Sequence, residues 1–503
     1  MESPATSVNS TGSPPPSLGS TAQPPKTDED SQLKDPSLKP KRPPTEATSL
    51  LPPEDVLVQA QGTEFGATMT MAVCTIGAGV LALPSAFGQA GAAVATGTVL
   101  FVGYLTVMSI RYLAQCIDLL DLHSYEDLGK EIHGRWVAEL SRWVVIFYNL
   151  GADIGYIIVV GNLLEPFRPN LAAISTDLFV TSENFPKFAY WFCIMLPLSC
   201  VRSIEALKHS ATAAIVAALY TASMVTYRYF VPAAHVGHFD SATMGAIKKH
   251  HSGGGHSHHH SSHGSSDGSD DPIIWVSLGT GCMLAMAIMM FAFDCQTMVF
   301  QIKANLKVPT VAAVTRVATG NVLISGSVYT AIGLFGYLSF RSAVSDDILS
   351  NYDPKKDFLA TIAYVVYAVP VTMAYVMFLF PTRDSLFNAV LGTRLGEEIP
   401  GKYFYPTSIG LAIFTIVTAL YVPSIVVICA LLGGLFSSLI CFILPASFVL
   451  KLHYNGQRVV DGWSLSQMWF MLIVGVVACI LGTWASLIHA LDIQAAKQAA
   501  LAV

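Results

Sequence analysis

Long apolar runs dominate this sequence from Gly66 onward, separated by short polar stretches. The runs lie near 67–91, 92–115, 138–163, 188–203, 210–231, 273–299, 316–340, 358–381, 404–422, 424–450 and 467–489. They number about eleven and have the length needed to cross about 30 Å of hydrocarbon. Their apolar positions do not alternate with a period of two, so lipid-facing barrel strands are excluded. Helices remain, because a helix satisfies its own backbone polar groups inside lipid. The pattern therefore predicts an all-α polytopic membrane protein.

The first residues are of another kind. Pro14–Pro16, Pro24–Pro25, Pro43–Pro44 and Pro52–Pro53 stand among Ser, Thr, Lys and Asp, and no aromatic residue precedes Phe65. Such a segment buries too little apolar area to offset the entropy of ordering, and it has no early apolar core of a signal peptide. The predicted division is a disordered tail over 1–62, a transmembrane domain over 63–492 and a short tail over 493–503. A second polar insertion, 232–272, holds 9 of the 14 histidines and reads as a flexible loop.

Composition supports this layout. Hydrophobic residues make up 52% of the chain and charged residues 12%, with a mean hydropathy of +0.52. An ordinary soluble domain carries roughly 25% charged residues. A soluble enzyme is excluded on that ground, and the net charge of −6 offers nothing to nucleic acid. The 9 cysteines form no Cys-x-x-Cys pair, so neither a disulfide framework nor a zinc knuckle is indicated. With the N-terminal tail placed in the cytoplasm, 19 of the 28 lysines and arginines fall on the cytoplasmic side. That asymmetry predicts an N-terminus inside, and the histidine-rich loop outside.

Three features inside the spans carry chemistry. The first run reads Thr75-Ile76-Gly77-Ala78-Gly79-Val80-Leu81-Ala82-Leu83-Pro84. Two glycines and a proline there suggest a broken helix whose free N–H groups and dipole hold an anionic group such as a carboxylate. Close helix packing with a harmless kink is the alternative. The sixth run reads Phe291-Ala292-Phe293-Asp294-Cys295-Gln296. It has no Gly or Pro in its middle and so lacks the simple signal of a break. It does carry Asp294, an acid that is expensive in a span unless it meets a cavity, an ion or a partner. Asp153 sits mid-span in the third run, as a proton carrier, a counter-charge or a partner of backbone amides. In the eighth run Thr372 lies near the kink expected at Pro370, where its hydroxyl either ligates Na⁺ or bonds back to its own helix.

Two short segments are weaker signals. His123 to Arg135 reads as a cytoplasmic surface helix, and Glu46-Ala47-Thr48-Ser49-Leu50-Leu51 matches an acidic dileucine sorting pattern.

The run from Thr68 through Ile76-Gly77-Ala78-Gly79-Val80-Leu81-Ala82-Leu83-Pro84 to Gly91 resembles the first helix of the amino acid/auxin permease family, in particular its protozoan branch. Phe291-Ala292-Phe293-Asp294-Cys295-Gln296-Thr297-Met298-Val299-Phe300 is similar to that family's sixth helix. The resemblance covers roughly residues 62 to 490. It implies a LeuT-like fold of about eleven transmembrane helices, with two inverted five-helix repeats plus one extra helix. It implies amino-acid transport by alternating access, driven by H⁺ or Na⁺ or running down the substrate gradient. No cofactor is expected beyond H⁺ or Na⁺ as a coupling ion. It places Ile76, Gly77, Ala78 and Gly79 against the substrate's carboxylate and amino groups. Phe291, Ala292, Phe293 and Asp294 form the opposite wall.

Cationic or neutral amino acids are the expected substrates, with Asp153 and Thr372 as expected positions for coupling to a proton or ion. The expected partners are a small amino acid and the lipid bilayer, and the expected location is the plasma membrane, with a vacuolar or endolysosomal membrane as the alternative. Two other functions have some support in the sequence. The histidine tract suggests a zinc or copper transporter, but the spans lack paired His and Asp ligands at helical spacing. The long tail permits an amino-acid-sensing, receptor-like transporter.

Overall fold

The computed structural model describes residues 62–122, 124–167, 184–202, 208–231, 271–391, 399–422, 424–457 and 462–501. The N-terminal tail with its dileucine pattern and the histidine-rich loop lie outside them. Among the described residues the chain is helical, with one isolated bridge between Gly62 and Leu306. In chain order the helices are α1 (Glu64–Thr75), α2 (Gly79–Ala90), α3 (Ala92–Leu120), α4 (Tyr125–His133) and α5 (Arg135–Leu164). Next come α6 (Phe185–Tyr190) and α7 (Leu196–Ser199), joined through a π turn over Trp191–Met195, and α8 (Lys208–Phe230). They are followed by α9 (Thr280–Ala292), α10 (Val299–Asn305), α11 (Val311–Phe340), α12 (Phe358–Leu391) and α13 (Gly401–Tyr421). Last are α14 (Ile425–Leu431), a π segment over Leu432–Ile443, α15 (Leu444–Tyr454) and α16 (Gly462–Leu501).

Local chemistry sets several helix starts. Thr63 caps α1 by accepting from Gly66 N–H, Thr310 caps α11 through Ala313 N–H, and Ser424 caps α14 through Val426 N–H. Helix α4, the surface helix expected after His123, is capped by Ser124 and has Glu126 and Asp127 in its first turn.

Among the described residues eight helices are long and apolar enough to cross a membrane, and the pair α1–α2, bent by 61°, makes a ninth. The runs near 188–203 and 210–231 are helical too, but they fall outside that set. The first is cut into short pieces by its π turn, and the second is the 23-residue helix α8.

Helix α2 is buried over nearly its whole length and packs between α9 and α11, while α5 runs along α12. The outer surface is apolar: Leu100, Phe192, Phe414 and Ile480 are all exposed. A belt of this kind matches lipid, not water.

Close contact at the centre depends on small side chains. A Cβ on Gly433 would stand 1.8 Å from the Ala287 carbonyl oxygen, and one on Gly434 would stand 2.7 Å from Thr483 N. The π segment can therefore lie directly against α9 and α16.

Candidate functional site

The first break runs from Ile76 to Ala78. Ile76 leaves the helix at φ −80°, ψ 71°, and Gly77 N–H folds back to the Thr75 carbonyl at 2.9 Å. Helix α2 then restarts with no side-chain cap at Ala78. Its first-turn N–H groups thus form a positive end inside the bundle, the usual geometry for holding a carboxylate. Two tyrosines secure the carbonyls before that end. Tyr367 of α12 donates to the Gly77 carbonyl at 2.8 Å, and the Tyr329 hydroxyl of α11 lies 2.7 Å from the Thr75 carbonyl oxygen.

A second break faces the first. Helix α9 stops at Ala292, and Phe293, Asp294 and Cys295 are not helical. The absence of Gly and Pro from this run therefore did not prevent a break. Side chains hold it open. The Tyr329 hydroxyl also lies 2.6 Å from the Ala292 carbonyl oxygen, so one phenol serves both breaks. Gln296 Oε1 accepts from Cys295 N–H at 3.0 Å and from Cys441 Sγ at 3.0 Å. Gly79 meets the far wall: a Cβ there would stand 3.1 Å from Phe291 Cδ1 and 3.3 Å from Ala292 Cα.

Asp294 is 3% exposed. Tyr148 of α5, Ser437 and Cys441 of the π segment, and Gln296 N–H surround its carboxyl group, but none closes a fully aligned hydrogen bond to it. The Tyr148 ring lies 6.1 Å from those of Phe291 and Phe378, and the Tyr156 ring 5.7 Å from that of Phe378. The Tyr156 hydroxyl reaches the first break, 2.6 Å from where a Gly77 Cβ would be. Ile76, Gly77, Ala78, Gly79, Phe291, Ala292, Phe293 and Asp294 thus form one locus, walled by α5 and the π segment.

The other two sequence-predicted positions are on α5 and α12. Asp153 is fully buried on α5, beside Tyr156 and Tyr375. Neither of its oxygens has a hydrogen-bond partner among the described residues, nor does the side-chain amide of Asn149, one turn away on the same face. Thr372 donates back to the Ala368 carbonyl at 2.7 Å and lies 2.9 Å from the Tyr190 hydroxyl. Sequence reasoning missed Tyr148, Tyr156, Tyr329, Tyr367, Gln296, Ser437 and Cys441. With 19 tyrosines in the chain, nothing local marks these four.

Two opposed helix breaks in a polytopic bundle, with glycine at one and an acid at the other, define a membrane carrier for a small charged or zwitterionic solute. Residues 60–488 match the family described as transmembrane amino acid transporter protein, and the chain belongs to that family. It is a transporter, not an enzyme. Its function in general terms is to carry amino acids across a membrane. It is 22% identical over 397 residues to vacuolar amino acid transporter 5 of Schizosaccharomyces pombe, covering 78% of this chain and 86% of the relative. It is 24% identical over 431 residues to sodium-coupled neutral amino acid transporter 7 of Rattus norvegicus, covering 84% and 85%. Solute carrier family 38 member 10 of Homo sapiens is 23% identical over 84% of this chain, but only 35% of that longer relative is covered.

Proposed function

We propose that this chain is a secondary active transporter that moves cationic or neutral amino acids by alternating access, coupled to H⁺ or Na⁺. The observation that carries this reading is the meeting of the two breaks at Gly79 and Phe291. The substrate carboxylate would sit at the N-terminus of α2, and the α-ammonium would bond backbone carbonyls freed at the breaks. The side chain would then extend toward Asp294, Tyr148 and Ser437. Asp294 supports a cationic side chain, since a buried carboxylate gains most from a charged, hydrogen-bonded partner. The name of the rat relative supports a neutral substrate and Na⁺. Asp153 is the proposed proton or ion position, because it is buried without a basic partner among the described residues. Lysine and arginine asymmetry supports a cytoplasmic N-terminus. The plasma membrane is the proposed location, with the vacuolar membrane favoured instead by the yeast relative's name.

The test is uptake of arginine, lysine, glutamine and alanine into proteoliposomes at two pH values, with and without Na⁺, for wild type and Asp294→Asn. Loss of arginine and lysine uptake with retained neutral uptake supports the cationic assignment. Unchanged arginine uptake in Asp294→Asn overturns it.

A further inference from the structure

Two tyrosines on one face of α12 tie the loop between α11 and α12 to the first break. Tyr364 donates to the Leu349 carbonyl at 2.6 Å, and Tyr367, three residues on, donates to the Gly77 carbonyl at 2.8 Å. Positions three apart are neighbours on a helix surface. Leu349 belongs to a 3-10 turn over Ile348–Asn351, which Asp347 caps by accepting from Leu349 N–H at 2.9 Å. One helical face therefore holds both the turn and the break.

The loop is firmly docked. Asn351 closes it on itself, accepting from Ser345 N–H at 2.9 Å and donating to the Ala343 carbonyl at 2.9 Å. Ile348 is fully buried. A Cβ on Gly336 of α11 would stand 3.1 Å from Ile348 Cδ1 and 2.8 Å from Pro84 Cγ of α2. Ser424, which caps α14, donates to Asp346, and Asn162 of α5 faces Asp347.

Asp347 is the weak point of this docking. It is 2% exposed, and its Oδ2 has no hydrogen-bond partner among the described residues. Leu349 N–H, Asn162 and the Asp346 carboxyl act on it, and none of these is a base. Glu165, just after α5, and Asp353 of the loop put further negative charge around Tyr364. The bases nearby are engaged elsewhere: Arg228 with Asp357 at 2.5 Å, Lys356 with Asp353 at 3.6 Å, and Arg341 with the Asp271 carbonyl at 2.8 Å. Burial without a counter-charge pushes Asp347 up to about 7. Protonated, it still caps the turn through one oxygen and does not repel Asp346. Ionised, it is a second buried charge beside Asp346, and the turn loosens.

We infer that Asp347 is a pH-sensing positioning residue: its proton holds the turn in place and, through Tyr364 and Tyr367, holds the first break in the shape that takes substrate. This rests on the first break as the substrate site and adds a control by pH that is separate from ion coupling.

The test is counterflow by the full-length protein in proteoliposomes, with pH equal on both sides at 5.5 or 8, so that no ion gradient drives uptake. Hydrogen exchange of residues 344–357, corrected for its intrinsic pH dependence, is followed in parallel. If only the protonated form is competent, wild-type KM should rise about tenfold from pH 5.5 to pH 8, and loop exchange should quicken. Asp347→Asn stays neutral and still accepts from Leu349 N–H, so its KM should be low at both values and its loop exchange unchanged. Tyr364→Phe cuts the tie but leaves the carboxyl, so its loop exchange should follow pH while its KM does not. A wild-type pH profile in either variant overturns the inference, as does a flat KM in the wild type. Normal uptake by Gly77→Val would instead remove substrate from the first break and overturn the reading on which the inference rests.

Discussion

The Tyr367 hydroxyl and the Gly77 carbonyl oxygen are 2.8 Å apart, although 290 residues separate them in sequence. This bond ties the broken first span to α12 at the point where helix geometry fails. Leaving a buried acceptor unpaired costs about 1–3 kcal/mol. Tyr367→Phe should therefore loosen the break and lower substrate uptake about tenfold at normal surface expression. Initial-rate uptake with a surface biotinylation control checks this, and wild-type uptake would show the bond to be dispensable.

Bulk at either glycine should block the site. A Cβ at Gly77 would press on the Tyr156 hydroxyl, and one at Gly79 on Phe291 and Ala292. Gly77→Val and Gly79→Val should abolish uptake while the protein still reaches the membrane. Normal uptake in either variant removes that glycine from the substrate site.

Asp153→Asn separates coupling from binding. If Asp153 carries the coupling proton, the variant loses concentrative uptake and its pH dependence for every substrate, while exchange of internal for external substrate persists. Counterflow assays in proteoliposomes distinguish the two. Wild-type accumulation in the variant would refute the assignment.

Gly433 is a matter of stability. Its missing Cβ would fall 1.8 Å from backbone oxygen, which cannot swing aside as a flexible side chain can. Gly433→Ala should destabilise the fold by about 1–3 kcal/mol or force α9 and the π segment apart. Thermal unfolding in detergent measures the loss, and an unchanged midpoint would contradict the packing.

Between α11 and α12, Asp347 caps a short 3-10 turn by accepting from Leu349 N–H at 2.9 Å, and burial pushes its carboxyl up to about 7. Its neighbour Asp346 adds to the rise, while Leu349 N–H and Asn162 oppose it. A folded-state value above the unfolded one means that the folded form holds the proton more tightly. Its stabilising contribution is present below about pH 4 and declines as pH rises toward about 7. Asp347→Asn keeps the cap and should remove this dependence. Unfolding midpoints at pH 5.5 and pH 8 check it: wild type should drop between them, and the variant should not.

The apolar runs alone determined the class of protein, because about 20 consecutive apolar residues have few other uses. Gly77, Gly79 and Pro84 made the first break legible, since each weakens a helix by its own chemistry. The second break was not legible, because its causes lie elsewhere in the chain. Tyr329 draws the Ala292 carbonyl off the helix, and the Gln296 side chain replaces a backbone acceptor for Cys295. Asp153 and Asp294 look alike in sequence, as single acids in apolar runs. Only tertiary structure separates them, turning Asp294 toward the break with Tyr148, Ser437 and Cys441, and Asp153 toward Tyr375. Local propensity acts over a few residues and leaves its mark in composition. Which side chains meet across a bundle depends on helix rotation and close approach, which glycines such as Gly433 permit but do not direct.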